Sequence, residues 1–364
     1  VSGPPPERDT ALVYIHSPRY AELGPALERL PVTVVRYPYN VYMVLGHLVP
    51  FLDRLVPAWM LWRIRRLPHR HKVVLSDRLL RVPWFVDRLR EVGCRYVIRL
   101  RGDAWREHDE VAFGFHPDWS ERKRARYRHE WFHNLEAADA VWPMSEHLAA
   151  EVARRLPGTP TAVIRSAKRV PPAAPSGTQD GADEVLTASV YFFRGKTDGV
   201  VELFDLMEPV LAARGDLRWT VVGGGRYFER VRERWARSPA RDRIALHGRV
   251  RDLDRRMARA RCLVYHSRMD VFPNVVVDAL AAGLPVLCNR WGPFPEIFTG
   301  PLAECLYDGP EDFAELLGRI LADAPWRAAL AAAGRERVRA LCDPDALARR
   351  VSDALDAVAA LEAG

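Results

Sequence analysis

Short apolar runs alternate with amphipathic stretches along most of this chain, and that rhythm leaves few folds open. Strands separated by helical patterns pair in parallel, because each helix returns the chain across one face of the sheet. The second half shows it most cleanly. Val185 to Phe193, Trp219 to Val222, Ile244 to Gly248, Cys262 to His266, Pro285 to Cys288 and Cys305 to Tyr307 are strand-like, whereas Val200 to Ala213 and Tyr227 to Trp235 are helical. In the first half, Ala11 to Ile15, Val32 to Arg36, Lys72 to Leu75, Tyr96 to Leu100, Ala140 to Met144 and Ala162 to Arg165 read as strands.

A chain of 364 residues is long enough for two domains. The boundary falls in the Pro/Gly/Ser-rich stretch 170–184, which has no apolar periodicity. The expected organisation is an N-terminal domain over 1–169, a linker over 170–184 and a C-terminal domain over 185–343. An Ala/Leu-rich amphipathic helix over 344–364 is placed to pack back on the N-terminal domain. The fold class is α/β, with two Rossmann-like doubly wound domains facing a shared cleft. Gly223-Gly224-Gly225 follows a strand and puts a loop on the carboxyl edge of its sheet, where ligands bind in open α/β folds.

Composition excludes several classes. With 48% hydrophobic and 28% charged residues, the chain can build real cores and is not disordered. The net charge of +7 favours anionic partners such as nucleotide phosphates or an anionic membrane surface. That charge is dispersed and no recognised nucleic-acid module is present, so nucleic acid is not an expected partner. The basic side is nearly all arginine, with lysine only at Lys72, Lys123, Lys168 and Lys196. Cys94, Cys262, Cys288, Cys305 and Cys342 are scattered, without metal-ligand spacing, and read as reduced buried thiols of a cytoplasmic protein. The first residues, Val-Ser-Gly-Pro-Pro-Pro-Glu, lack the basic and apolar regions of a signal peptide. Val41 to Trp62 is strongly apolar but broken by Pro50, Asp53, Arg54 and Pro57, and is followed by Arg63, Arg65, Arg66 and Arg70. It is either a pair of core helices with a basic exit or an aromatic helix lying on the inner face of an anionic bilayer, in peripheral contact over 41–71.

The chemistry concentrates in residues 267 to 297. Asp270 and Asp278 flank a loop that turns into a helix near Asn274, and Gly283-Leu284-Pro285-Val286 then drops the chain into a buried strand. Backbone N–H groups near Phe272, Pro273, Asn274 and Val275 stand at a helix start, suited to a diphosphate. A carboxylate one turn into that helix can accept sugar hydroxyls.

This order of residues, Asp270, Asp278, Ala279, Ala281, Gly283, Pro285, Val286, Gly292 and Glu296, resembles the C-terminal half of the family-4 glycosyltransferases. These are retaining enzymes of the GT-B fold, and both acids here are Asp where the family usually has Glu. The resemblance covers residues 185 to 310. It implies transfer of a sugar from a nucleoside diphosphate sugar to an acceptor hydroxyl, without a cofactor or an obligatory metal, by front-face attack. It also implies a glycan, lipid-linked or small-molecule acceptor. Asp278 would hold the nucleotide ribose and Asp270 the donor sugar. Arg194 and Lys196, after the first strand of this half, would stabilise the departing diphosphate. Gly224, Arg249 and Val250 match the family's donor-side turns.

The first half resembles the family less. Arg101 stands where many relatives carry a His near the reaction centre, and Asp103 is placed to meet an acceptor hydroxyl. A plain loop ion pair between Arg101 and Asp103 is the other reading. Ile15-His16-Ser17-Pro18-Arg19 replaces the glycine-rich loop of relatives. Asp252-Leu253-Asp254 looks like a metal motif but reads better as a helix N-cap. A sugar-nucleotide epimerase of the same fold, or a non-catalytic module binding nucleotide sugars or a polyanion, stays open as an alternative.

Overall fold

Two parallel sheets organise the chain. The computed structural model describes residues 9–16, 22–38, 52–77, 82–172 and 183–361. Most of the expected linker, Ser17 to Arg19 and the apolar stretch from Val41 to Phe51 lie outside the described residues. Val1–Ala167 with Cys342–Gly364 form one compact unit, and Lys168–Leu341 form the other.

In the first unit, β1 (Thr10–His16), β2 (Thr33–Pro38), β3 (His71–Ser76), β4 (Cys94–Leu100) and β5 (Ala140–Pro143) make a parallel sheet in the order β2-β1-β3-β4-β5. Its described helices are α1 (Gly24–Leu27), α2 (Leu52–Arg65), α3 (Pro83–Glu91), α4 (Ala104–Asp109), α5 (Glu121–Glu136) and α6 (Glu146–Arg155). In the second unit, β6 (Glu184–Val190), β7 (Arg218–Gly224), β8 (Ile244–His247), β9 (Cys262–Tyr265), β10 (Val286–Asn289) and β11 (Leu306–Tyr307) run in the order β11-β10-β9-β6-β7-β8, again all parallel. Helices α7 (Arg194–Ala213), α8 (Phe228–Ala236), α9 (Leu253–Arg259), α10 (Asn274–Ala282), α11 (Phe294–Ile297), α12 (Pro310–Ala322) and α13 (Ala324–Cys342) connect them. Both orders reverse direction once, as doubly wound sheets do.

The last helix, α14 (Pro344–Ala359), belongs to the first unit. Leu347, Val351, Leu355 and Val358 recur at helical spacing and are buried with Leu12, Tyr14, Val73 and Leu75 of β1 and β3. Asp343 caps it by accepting from the amide of Ala346 at 2.7 Å.

Three local expectations need correction. Ala162 to Arg165 is not a strand: only an isolated bridge joins Val141 to Thr161, and the carbonyl of Ile164 is taken by Arg99 Nε at 3.0 Å. The Ile164 amide still donates to the Pro143 carbonyl at 2.9 Å, but the pairing goes no further than the isolated bridge. The helix expected to begin at Val200 begins at Arg194, so the cations after β6 stand in a helical first turn rather than on a loop. Asp252 occupies the N-cap position of α9 but caps nothing, because its carboxylate pairs with Arg256 at 3.2 Å. All five cysteines are free and buried. No described helix is long and apolar enough to cross a membrane.

Candidate functional site

Strand order decides where a ligand can enter the second unit. Strand β6 lies between β9 and β7, so the chain reverses its direction of travel across the sheet between β6 and β9. Loops leaving the two strands at such a reversal part company and open a crevice at their carboxyl ends. The segments leaving those strands carry Lys196 and Asp270.

Gly199 brings them together. A Cβ at this position would lie 2.2 Å from the carbonyl oxygen of His266, so only glycine lets the first turns of α7 rest on the backbone leaving β9. Lys196 Nζ then reaches Asp270 Oδ1 at 2.5 Å. The other carboxylate oxygen accepts from the Tyr265 hydroxyl at 2.6 Å and from Ser267 Oγ at 2.8 Å. Asn289 fixes this loop in turn: its Nδ2 donates to the Ser267 carbonyl at 3.1 Å and its Oδ1 accepts from the Ser267 amide at 3.0 Å.

Asp270 is only 6% exposed. Burial pushes its pKa up, but the Lys196 charge and the hydrogen bonds from Lys196, Tyr265 and Ser267 outweigh it, holding the carboxyl below its ordinary range. The Tyr265 hydroxyl is pushed well up by burial first and by Asp270 second, so it stays a donor. An ionised carboxylate offers about four acceptor positions. Lys196, Tyr265 and Ser267 use three of them, one on Oδ1 and two on Oδ2.

Arg194 does not join them. Residues two apart on a helix face different sides. Arg194, 63% exposed, reaches Asp198 of its own helix at 3.4 Å, and Asp198 also holds Arg230 at 2.8 Å.

Helix α10 begins as its sequence implies, and no side chain caps it, so the positive end of its dipole is presented at Asn274 and Val275. Pro273 is corrected as a donor, because proline has no N–H. Its carbonyl instead accepts from the amides of Val276 and Val277 at 3.1 and 3.2 Å. Phe272 is buried and contributes packing at this turn. Asp278 follows one turn after Asn274 and is half-exposed, with Lys168 Nζ 2.7 Å from its Oδ1. The two acids therefore occupy different environments, one buried against Lys196 and one at the surface in an ion pair.

Gly224 ends β7, and a Cβ there would meet the backbone nitrogen of Arg249 at 3.3 Å. Its neighbour Gly225, at φ 155°, is crossed by the backbone of Tyr191, so the glycine run is needed first for the β6–α7 segment to pass over β7. Arg249 is exposed beside it and Val250 half-buried. Among the described residues, no group of three His, Cys, Asp or Glu side chains could hold a metal ion.

Residues 185–323 match the family model described as Glycosyl transferases group 1. The matched residues all lie in the second unit. A mannosyltransferase of Corynebacterium glutamicum, named as GDP-mannose-dependent and acting on monoacylated alpha-(1-6)-phosphatidylinositol monomannoside, is 28% identical over 226 residues, 58% of this chain and 56% of that protein. The chain thus spans little more than half of that relative. Among solved structures, sucrose-phosphate synthase from Thermosynechococcus elongatus matches 96% of the chain and 98% of its own length, with a TM-score of 0.69 at 18% identity. HepE of Anabaena, solved in complex with UDP and glucose, matches 95% and 99%, with a TM-score of 0.65 at 13% identity. The shared fold is the GT-B type, with two Rossmann-like parallel-sheet domains.

The first unit has its own cluster at the carboxyl ends of β1, β3 and β4. Arg99, fully buried, donates to Asp77 at 2.9 Å and to Ser166 Oγ at 3.2 Å. Asp77 also accepts from the Tyr14 hydroxyl, and Ser166 donates to Glu22. Burial alone would lower the Arg99 pKa, but Asp77 and then Tyr14 raise it, so the guanidinium stays charged. Arg101 closes the chain by pairing with Glu22 at 2.7 Å, not with Asp103 as the alternative reading had it. Asp103 instead caps α4, accepting from the amides of Trp105 and Arg106 at 3.1 and 3.0 Å. The cap uses Oδ1, while Oδ2 lies 3.4 Å from Arg106 Nε.

Tyr265, Ser267, Asn289, Lys168, Gly199, Asp77 and Arg99 belong to no sequence motif described above. Lys168 carried one legible signal, its rarity in an arginine-rich chain, which it shares with Lys196. The others become visible only once strands distant in sequence are neighbours.

Proposed function

We propose that the chain is a retaining glycosyltransferase that moves a sugar from a nucleoside diphosphate sugar to an acceptor hydroxyl without a metal. The observation that carries this reading is the buried Lys196–Asp270 ion pair at the reversal point of the second sheet. The remaining acceptor position of Asp270 would take a hydroxyl of the donor sugar. Lys196 and the start of α10 would face the diphosphate, whose negative charge grows as it departs. Asp278 would turn to the ribose hydroxyls. Its half-exposed pair with Lys168 opens at little cost, since such pairs contribute about 0–1 kcal/mol. In the transfer step the acceptor oxygen bonds to the anomeric carbon on the face the leaving group occupies. The bond from that carbon to the phosphate oxygen breaks, and the acceptor proton passes to the departing phosphate.

The relatives set the order of the donor panel: GDP-mannose from the mannosyltransferase's name, and UDP-glucose from HepE. A thermal-shift screen of GDP, UDP and ADP with their sugars finds the donor, because a ligand of the native state raises the melting temperature by mass action. Acceptor-dependent release of nucleoside diphosphate, unchanged by EDTA, then tests transfer, and the anomeric coupling constant of the product tests retention. Donor binding with no release across a broad acceptor panel would identify a nucleotide-sugar-binding module instead. Donor conversion without any acceptor would identify an epimerase.

A further inference from the structure

The outward side of α2 breaks the usual pattern of a surface helix. Met60 and Ile64 face inward and are buried, as a helix on a domain surface requires. The opposite stripe is not polar. Leu55, Trp59 and Trp62 follow one another at helical spacing and are 55%, 43% and 54% exposed. Large apolar side chains grouped on one exposed stripe mark a contact surface rather than ordinary scatter.

The charges around the stripe narrow the partner. Residues 55–76 contain Arg63, Arg65, Arg66, Arg70 and Lys72 and no Asp or Glu. Two of these cations are built into the stripe itself. The Arg63 guanidinium lies 5.2 Å from the centre of the Trp59 ring, and that of Arg66 lies 3.6 Å from the centre of Trp62. A guanidinium over an indole face keeps its N–H edge available to an anion. The arrangement layers apolar rings and phosphate-seeking donors along one helix. Such a profile fits an interfacial helix, with indole rings at headgroup depth and cations against lipid phosphates.

We propose that the outward face of α2 docks the first unit on an anionic lipid bilayer. Trp59 and Trp62 enter the headgroup boundary, while Arg63 and Arg66 bind phosphates beside them. The proposal is independent of the transfer chemistry in the second unit, and its test reads no turnover.

The intact chain is sedimented with phosphatidylcholine vesicles that either contain or lack phosphatidylglycerol. Binding is expected only when the anionic lipid is present, and it is expected to weaken as salt rises. Trp59→Ser with Trp62→Ser should weaken binding by at least about tenfold, from the loss of two buried rings. Arg63→Gln with Arg66→Gln should weaken it by about tenfold as well. Thermal melts followed by circular dichroism confirm that each variant is folded; because the two tryptophans are exposed, neither pair of changes should unfold the chain. Failure to pellet above the vesicle-free control would overturn the proposal, as would pelleting that the tryptophan changes leave intact. Self-association in sedimentation velocity that the tryptophan changes abolish would also overturn it, and would make a second copy of this chain the occupant.

Discussion

Replacing Lys196 by methionine gives the sharpest test of the proposed centre. Methionine keeps much of the volume and removes the charge that offsets the burial of Asp270. Removing one partner of a buried ion pair costs about 3–5 kcal/mol. Lys196 is itself one-fifth exposed, and Asp270 keeps its bonds from Tyr265 and Ser267, so the lower end, about 3 kcal/mol at pH 7, is expected. The sign with pH is the decisive part. In the native protein the Asp270 pKa lies below its unfolded value, so its contribution is present above the unfolded pKa, near 3.9, and is lost as pH falls through the folded one. In Lys196→Met the bonds from Tyr265 and Ser267 remain but the largest offset to burial is gone, so the folded pKa should rise above the unfolded value. The protonated form is then the one favoured by folding, and that stability is lost as pH rises through the folded pKa. The gap between the two proteins should therefore narrow when the pH is lowered from about 7 to about 5. Hydrogen exchange of the segment from β9 to β10 reads the second unit by itself. A gap that stays constant with pH would refute the account of how Asp270 is held. Turnover should fall at least about tenfold, equivalent to about 1.4 kcal/mol of transition-state stabilisation.

The remaining predictions concern the same region. Gly199→Ala should push α7 off the His266 carbonyl by roughly an ångström and depress turnover by about a hundredfold, with donor binding followed by thermal shift. A near-native rate would show that the contact positions nothing. Burial, and then Arg268, hold the His266 pKa down to about 4 from 6.5. The unfolded chain takes up that proton first, so stability should decline as pH drops from about 6.5 towards 4, by about 2 kcal/mol at pH 5. His266→Gln should flatten that slope in a urea titration monitored at several pH values.

The two halves of the site were unequally legible before the fold was known. Asp270, Asp278 and the start of α10 lie within nine residues of one another, so local spacing revealed them, as it did the glycine step into β10. Lys196 was singled out by its place after a strand, but its actual partner was not foreseeable. The pair forms because β6 and β9 are adjacent in the sheet, although Lys196 and Asp270 are far apart in the chain. The same limit explains Arg101. Its nearest acid in sequence, Asp103, caps α4, and Glu22 reaches it only because β1 and β4 end on the same edge.

The amino-acid order alone determined the parallel α/β architecture, because strand and helix periodicities are local and each apolar face must be covered by the next element. It also determined the helix start at Asn274, since a helix start is a local property of the chain. Only tertiary structure decided which charges neutralise one another. Pairings such as Lys196 with Asp270, Arg99 with Asp77 and Arg101 with Glu22 depend on strand order and on the close approach that Gly199 permits. Ion pairing in a buried site is set by distance and desolvation, and neither quantity exists until the sheet has closed.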